Sequence, residues 1–167
     1  VKGMAAEGNT YVGFLYAGLM IMADGTPKVI EYNCRFGDPE TQPIMLRLQS
    51  DLIGLVEAAL DGKLDQIQAD FDTRAAVGVV LAAGGYPDSY AKGDVIDGLK
   101  LGSHSSKIFH AGTKNVDGKM TTNGGRVLCA TALGDTVTEA QQKAYNLAKT
   151  ISCNGMFYRD DIAYRAI

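Results

Sequence analysis

The chain has 167 residues, 46% hydrophobic and 21% charged, which is enough to bury a core as one medium domain or two small ones. Its formal net charge of −3 argues against a broad nucleic-acid-binding surface, which would need an excess of basic residues. The three cysteines are widely spaced and form no CxxC pair, which indicates reduced thiols and predicts a cytoplasmic protein. No apolar run approaches the roughly 18 residues of a membrane-spanning helix, so we expect no membrane partner.

The start of the chain predicts a β-hairpin. Residues 11–22 and 28–34 are rich in strand-forming side chains, and a turn signal at residues 23–27 separates them. Because residues 11–22 are apolar at almost every position, we expect this strand to lie in the interior of a larger sheet. The opening residues Val-Lys-Gly-Met contain no signal-peptide pattern and favour a fragment or a processed chain.

Two helices are expected after the hairpin. A break at Gly37-Asp38-Pro39 ends the second strand, and a helix follows from about Thr41. Another helix begins with Asp51 as its N-cap, carries apolar residues at helical spacing and ends at Gly62.

The polar stretch from residue 63 to residue 72 predicts a linker, with a boundary that divides the chain into domains 1–70 and 71–167. The second domain is expected to contain strands at residues 74–82, 94–99, 107–114 and 126–133, with a hairpin turn at Asp117-Gly118. One amphipathic helix over residues 136–151 opens with the capping-box pair Thr136 and Glu139. The predicted fold class is α+β, with an α/β part followed by a small β-rich domain that has one long helix.

Polar residues alternate along the second strand of the hairpin in a pattern that suits a metal–nucleotide site. Glu31, Asn33 and Arg35 would share one strand face at about 6–7 Å per step, whereas Cys34 would lie on the opposite, apolar face as a core residue. Carboxylate and amide oxygens are ligands that Mg²⁺ accepts, and a guanidinium can hold a transferring phosphoryl oxygen. An exposed face with a Glu–Arg ion pair is an equal alternative on spacing alone.

The loop after this strand contains two further carboxylates, Asp38 and Glu40, which could receive a cationic amine. The alternative is that Asp38 caps the following helix with Pro39 at its first position, and the local pattern favours this alternative.

Several segments closely resemble phosphoribosylamine–glycine ligases, a family of ATP-grasp enzymes, and they occur in the same order along essentially the whole chain. They are GFLYAGLM at 13–20, EYNCRFGDPETQ at 31–42, LAAGGYP at 81–87, HAGTK at 110–114, TNGGRV at 122–127 and RDDI at 159–162. The resemblance implies that the first domain is the distal portion of an ATP-grasp domain. It also implies ATP-dependent ligation of glycine to 5-phosphoribosylamine in purine synthesis, through phosphorylation of the glycine carboxylate.

The resemblance also implies roles for particular residues. Glu31 and Asn33 match the family's Mg²⁺ (or Mn²⁺) ligands, and Arg35 matches a catalytic residue near the transferring phosphate of ATP. Asp38 and Glu40 match the loop expected to lie beside glycine and the amine.

A second group of residues matches the substrate-binding part of the family's C-terminal domain, where Arg126 would face the sugar phosphate. The group consists of Asn123, Gly124, Gly125 and Arg126. A β-turn leading into a strand explains these residues equally well.

The family's substrate domain, lid domain and phosphate-binding lysines and glycine-rich loop have no counterpart in this sequence. We therefore expect the chain to be inactive alone, to need the missing N-terminal part as its partner, and to expose apolar surface along residues 11–22. Two alternatives remain: a fragment of another ATP-grasp ligase or carboxylase, or a non-catalytic interaction domain. Residues 38–42 and 84–87 favour the first assignment over another ATP-grasp enzyme.

Overall fold

The computed structural model describes residues 1–99 and 102–167, which form two compact units. The first unit comprises Val1–Thr41 and Leu48–Phe71, and the second comprises Gln42–Arg47 and Asp72–Ile167. The helices are α1 (Lys2–Ala6), α2 (Thr41–Arg47), α3 (Leu52–Leu60) and α4 (Val137–Ala148), with short 3₁₀ turns at Leu64–Gln66 and Tyr164–Ala166. The strands are β1 (Tyr16–Ile21), β2 (Pro27–Asn33), β3 (Ala75–Ala82), β4 (Ser106–His110), β5 (Thr113–Val116), β6 (Lys119–Thr122) and β7 (Arg126–Gly134). In this part of the chain, none of the helices has the length and apolar character needed to cross a membrane.

The predicted hairpin is confirmed as the antiparallel pair β1–β2. Its turn is closed by Asp24, whose Oδ1 accepts a hydrogen bond from the Thr26 amide at 2.9 Å. The expectation of a strand in a sheet interior is wrong for this structure, because the described hairpin forms a sheet of two strands only. Leu19 is 46% exposed and Ile30 is 65% exposed, and Cys34, which we expected in the core, is exposed as well.

Local sequence signals were sufficient to predict the position of α3. The Asp51 side chain accepts a hydrogen bond from the Ile53 amide at 2.9 Å and caps α3 as predicted. Gly62 adopts a positive φ of 69° just after the helix, which is the conformation that a glycine permits there. The predicted linker is partly ordered, because Phe71 forms a β-bridge with Leu48.

The second unit is a three-stranded antiparallel sheet in the order β3–β7–β4, covered on one side by α4. The central strand β7 is buried along almost its whole length. Three alanines on α4 face the sheet and are almost fully buried, and their spacing of four residues brings them onto one helix face: Ala140, Ala144 and Ala148. Thr136 caps α4 as predicted by accepting from the Glu139 amide at 3.2 Å.

Three details of the second unit differ from the prediction. Residues 94–99 form isolated bridges instead of a strand, because Gly93 and Gly98 take positive φ values of 95° and 78° that interrupt an extended chain. The predicted strand 107–114 is divided into β4 and β5 by a turn before Thr113. The helix α4 ends at Ala148, three residues earlier than expected. The turn at Asp117-Gly118 is confirmed as the connection between β5 and β6.

Candidate active site

The structure places the two predicted metal ligands on β2, close to its end. Glu31 pairs with Gly18 and Asn33 pairs with Tyr16 on the neighbouring strand. A Cβ atom at Gly18 would stand 3.2 Å from Glu31 Cγ, so the glycine leaves space for the glutamate side chain to cross the partner strand. The carboxylate is exposed and the amide is half-buried.

Both of these side chains have unused hydrogen-bonding groups. The Nδ2 atom of Asn33 is buried without a hydrogen-bond partner in the described residues, which is uncommon for a buried amide. The Glu31 carboxylate makes no hydrogen bond or ion pair with any described residue, so the alternative of a Glu31–Arg35 ion pair is not seen. A free carboxylate beside an amide oxygen fits a Mg²⁺ ion that takes its remaining ligands from water and phosphates.

Arg35 does not extend this line of polar residues along the strand, as we had expected. The strand ends at Asn33, and Arg35 lies in a bend where its Nη1 donates to the carbonyl of Phe36 at 2.8 Å. The chain turns here because Phe36 stacks on Phe14, with ring centroids 4.0 Å apart and an interplanar angle of 29°. The shared strand face is therefore limited to Glu31 and Asn33.

Asp38 and Glu40 lie in the turn between β2 and α2. Asp38 is exposed, whereas Glu40 is half-buried and its Oε1 accepts a hydrogen bond from the Tyr16 hydroxyl at 3.2 Å. The carbonyl of Gly37 accepts a hydrogen bond from the Thr41 amide at 3.1 Å, which fixes the turn.

Tyr16 is the residue of this site that sequence analysis missed. The negative charge of Glu40 is the main cause that raises the pKa of the Tyr16 phenol, followed by burial and then by the charge of Glu31, while Arg35 acts in the opposite direction. Tyr16 is thus within electrostatic reach of three predicted site residues. In the sequence, Tyr16 is one aromatic residue within an apolar strand. Predicting the hairpin register, which pairs Tyr16 with Asn33, could have indicated that Tyr16 lies near the site.

The second predicted group, in the other unit, forms a tight backbone turn before β7. Gly112 is central to it, because its amide donates to the carbonyl of Arg126 at 2.9 Å and its carbonyl accepts from the amide of Asn123 at 2.7 Å. A Cβ on Gly112 would stand 2.6 Å from the Cα of Gly124, and one on Gly125 would stand 2.7 Å from a ring carbon of Tyr86. Close packing therefore explains Gly124 and Gly125, whereas Asn123 is exposed and Arg126 is half-buried.

The predicted residues thus form two groups, one in each unit. The structure brings Glu31, Asn33 and the Tyr16–Glu40 pair to the end of the hairpin, and it brings residues 123–126 to the turn before β7. Within residues 1–99 and 102–167, no cluster of three or more His, Cys, Asp and Glu side chains is arranged to hold a metal ion. The candidate metal site predicted at Glu31 and Asn33 contains a single carboxylate and stays a prediction.

Comparison with known families assigns both units. Residues 1–41 match the family model described as the ATP-grasp (A) domain of phosphoribosylglycinamide synthetase, so the hairpin and its loop are the end of an ATP-grasp domain. Residues 76–165 match the C domain of the same enzyme family. The chain belongs to the phosphoribosylglycinamide synthetase family, which confirms the resemblance described above and the predicted fold class.

Individual relatives agree with this assignment. The chain is 68% identical to the phosphoribosylamine–glycine ligase of Vibrio parahaemolyticus and 69% identical to that of Vibrio cholerae, in both cases over its full length. It spans 39% of the length of these relatives. The crystal structure of phosphoribosylamine–glycine ligase from Thermotoga maritima matches 96% of this chain with a TM-score of 0.81 and 42% identity, and 39% of that protein is covered.

Proposed function

We propose that this chain forms the distal part of the active site of an ATP-dependent ligase that joins glycine to 5-phosphoribosylamine, giving glycinamide ribonucleotide, ADP and phosphate. The observation that carries the proposal is the placement of two oxygen-bearing side chains two residues apart on β2, those of Glu31 and Asn33. The Glu31 carboxylate makes no hydrogen bond or ion pair with the described residues, and the Nδ2 atom of the half-buried Asn33 has no partner there. Relatives at 68–69% identity that are named phosphoribosylamine–glycine ligase support the choice of substrates.

In this proposal, Glu31 and Asn33 hold Mg²⁺ (or Mn²⁺) through their oxygen atoms. The ion, when bound, neutralises negative charge on the phosphates of ATP during phosphoryl transfer. Arg35 lies two residues beyond the ligands, and a change of rotamer would release its guanidinium from the Phe36 carbonyl to donate to the transferring phosphoryl group.

The two groups of residues are assigned to different chemical groups of the substrates. Asp38 and Glu40 supply carboxylates that suit the ammonium group of glycine and the amine of phosphoribosylamine. Residues 123–126 form a turn in which Arg126 suits the sugar phosphate, because a guanidinium binds phosphate oxygens in a bidentate manner. The glycines in this turn shape the backbone and have no side chain to contribute.

The proposal includes a partner and a compartment. The partner is the remaining part of the relatives' length, of which this chain covers 39%. We place the domain division between residues 70 and 71. The three cysteines form no disulfide among the described residues, which suits the reducing conditions of the cytoplasm.

The test is a substrate-dependence assay on the full-length protein that contains this chain. We expect ADP to form only when ATP, Mg²⁺, glycine and phosphoribosylamine are all present, and mass spectrometry should identify glycinamide ribonucleotide. ADP formation with bicarbonate in place of glycine would instead support the alternative of an ATP-grasp carboxylase.

A further inference from the structure

We propose that Tyr16, which lies opposite Asn33 in the hairpin, is a positioning residue for Glu40. Its hydroxyl holds Glu40 Oε1, and Glu40 Oε2 then accepts a hydrogen bond from the ammonium group of the amino-acid substrate. The inference rests on the proposed function and adds a residue that neither the sequence pattern nor the relatives' names assign.

Strand pairing determines where the Tyr16 side chain lies. Tyr16 is the first residue of β1 and pairs with Asn33, the last residue of β2, in the antiparallel ladder. Tyr16 and Asn33 are both half-buried, unlike most of the hairpin around them. Tyr16 therefore lies at the same end of the hairpin as Asn33, a proposed metal ligand.

The contact between Tyr16 and Glu40 depends on the glycine at position 37. The Tyr16 hydroxyl donates to Glu40 Oε1 at 3.2 Å, across 24 positions of sequence. Gly37 is buried and lies next to both side chains. A Cβ at this position would collide with Glu40 Oε2 and stand 2.8 Å from Tyr16 Cε2. The carboxylate can lie against the backbone of residue 37 only because that residue has no side chain.

The charge of the group that donates to Glu40 determines which ligand the carboxylate suits. The Tyr16 phenol is a neutral hydrogen-bond donor, so it brings no positive charge to the Glu40 carboxylate. Among the described residues, the Glu40 carboxylate forms no salt bridge with a Lys, Arg or His side chain. A carboxylate that is held by a neutral donor is suited to a cationic ligand, because an arginine or lysine partner would already have neutralised it.

The test compares Tyr16→Phe with Tyr11→Phe in the full-length protein. Both substitutions remove a tyrosine hydroxyl that donates one hydrogen bond, but the Tyr11 hydroxyl donates to the Phe14 carbonyl at 2.7 Å instead of to a candidate site residue. We expect Tyr16→Phe to raise the KM for glycine about five- to tenfold, with kcat and the KM for ATP within about twofold, because uniform substrate binding is lost. Tyr11→Phe should leave all three values unchanged.

A double-mutant cycle with Glu40→Ala separates positioning from a general structural effect. If Tyr16 acts through Glu40, Tyr16→Phe should change kcat/KM for glycine less than twofold in the Glu40→Ala background. Equal losses in both backgrounds, or a rise in the KM for ATP equal to that for glycine, would overturn the inference. A wild-type protein that does not consume glycine would refute the proposed function itself, whereas a normal wild type with an unchanged glycine KM in Tyr16→Phe would refute only the positioning role.

Discussion

Asp72, just before β3 in the second unit, makes several polar contacts. Its carboxylate accepts two hydrogen bonds from the Arg74 guanidinium, at 2.9 Å and 2.6 Å, and another from the Arg74 amide. Its carbonyl accepts from the Arg47 guanidinium at 3.0 Å and 2.8 Å, which ties residues 42–47 to the start of β3. The hydrogen bonds from Arg74 are the main cause that lowers the pKa of Asp72 from 3.8 to about 2.

We predict that Asp72 contributes to stability in a pH-dependent manner. Because its pKa is lower in the folded chain than in the unfolded chain, its contribution is complete above about pH 4 and is lost as the pH falls towards 2. The Tm of Asp72→Asn should therefore lie below that of the wild type at neutral pH, and the difference should shrink between pH 4 and pH 2. Thermal unfolding at a series of pH values measures this difference.

Asp88→Asn is the matched control for this prediction, since Asp88 is exposed and its carboxylate makes no hydrogen bond or ion pair with the described residues. Its Tm should follow that of the wild type at every pH. A Tm difference for Asp72→Asn that is the same at pH 7 and pH 2 would show that the carboxylate charge has no part in the effect.

At the scale of residues, the sequence indicated which side chains are polar but not which of them meet. The alternation of strand side chains placed Glu31 and Asn33 on β2, as the structure shows. The same rule failed for Arg35, because the end of the strand depends on the stacking of Phe14 and Phe36, which are 22 residues apart. Whether these residues bind metal and phosphate remains a prediction.

At the scale of elements, the junction between β7 and α4 is tightly packed. Gly134 ends β7, and a Cβ there would collide with the backbone nitrogen of Ala140 and stand 2.9 Å from its Cα. Neither the helix backbone nor the buried strand can move away without opening the core.

We predict that Gly134→Ala lowers the free energy of unfolding by about 1–3 kcal/mol, the usual cost of overpacking a core. Gly54→Ala is the contrasting variant, because Gly54 lies within α3 and no atom would stand within 4 Å of the added Cβ. Alanine is the better helix former, so this variant should be neutral or more stable by up to about 1 kcal/mol. Urea denaturation measures both, and equal stabilities of the two variants would contradict the packing described here.

Elements defined by local signals were predicted well, whereas elements defined by distant contacts were not. The caps Asp51 and Thr136 bond to amides two and three residues away, so the sequence contains the whole signal. Val95 and Asp97 instead form bridges with Thr121 and Ser152, and only the folded chain shows that these bridges do not extend into a strand. Likewise, the burial expected for β1 depends on further strands that the described residues do not supply.

For the whole molecule, the main feature is the apolar surface of the hairpin. An isolated two-stranded sheet is marginally stable in water, and large exposed apolar patches mark interaction surfaces. The exposed large apolar residues of β1 and β2 are Leu19, Met20, Ile21, Val29, Ile30 and Tyr32. Because the chain spans 39% of its relatives' length, we propose that the remaining part covers this surface and supplies the other groups that bind ATP.

The most direct test of the proposed function is ADP formation from ATP, Mg²⁺, glycine and phosphoribosylamine by four samples. These samples are the full-length protein, its Glu31→Ala variant, the 167-residue chain alone, and Glu57→Ala as a control for loss of an exposed carboxylate on α3. We predict turnover by the full-length protein and by Glu57→Ala, a loss of at least about a hundredfold in Glu31→Ala, and none by the chain alone. Full activity of Glu31→Ala would contradict the assignment of β2 as the metal-binding strand, and turnover by the chain alone would contradict the claim that it holds only part of the ATP site.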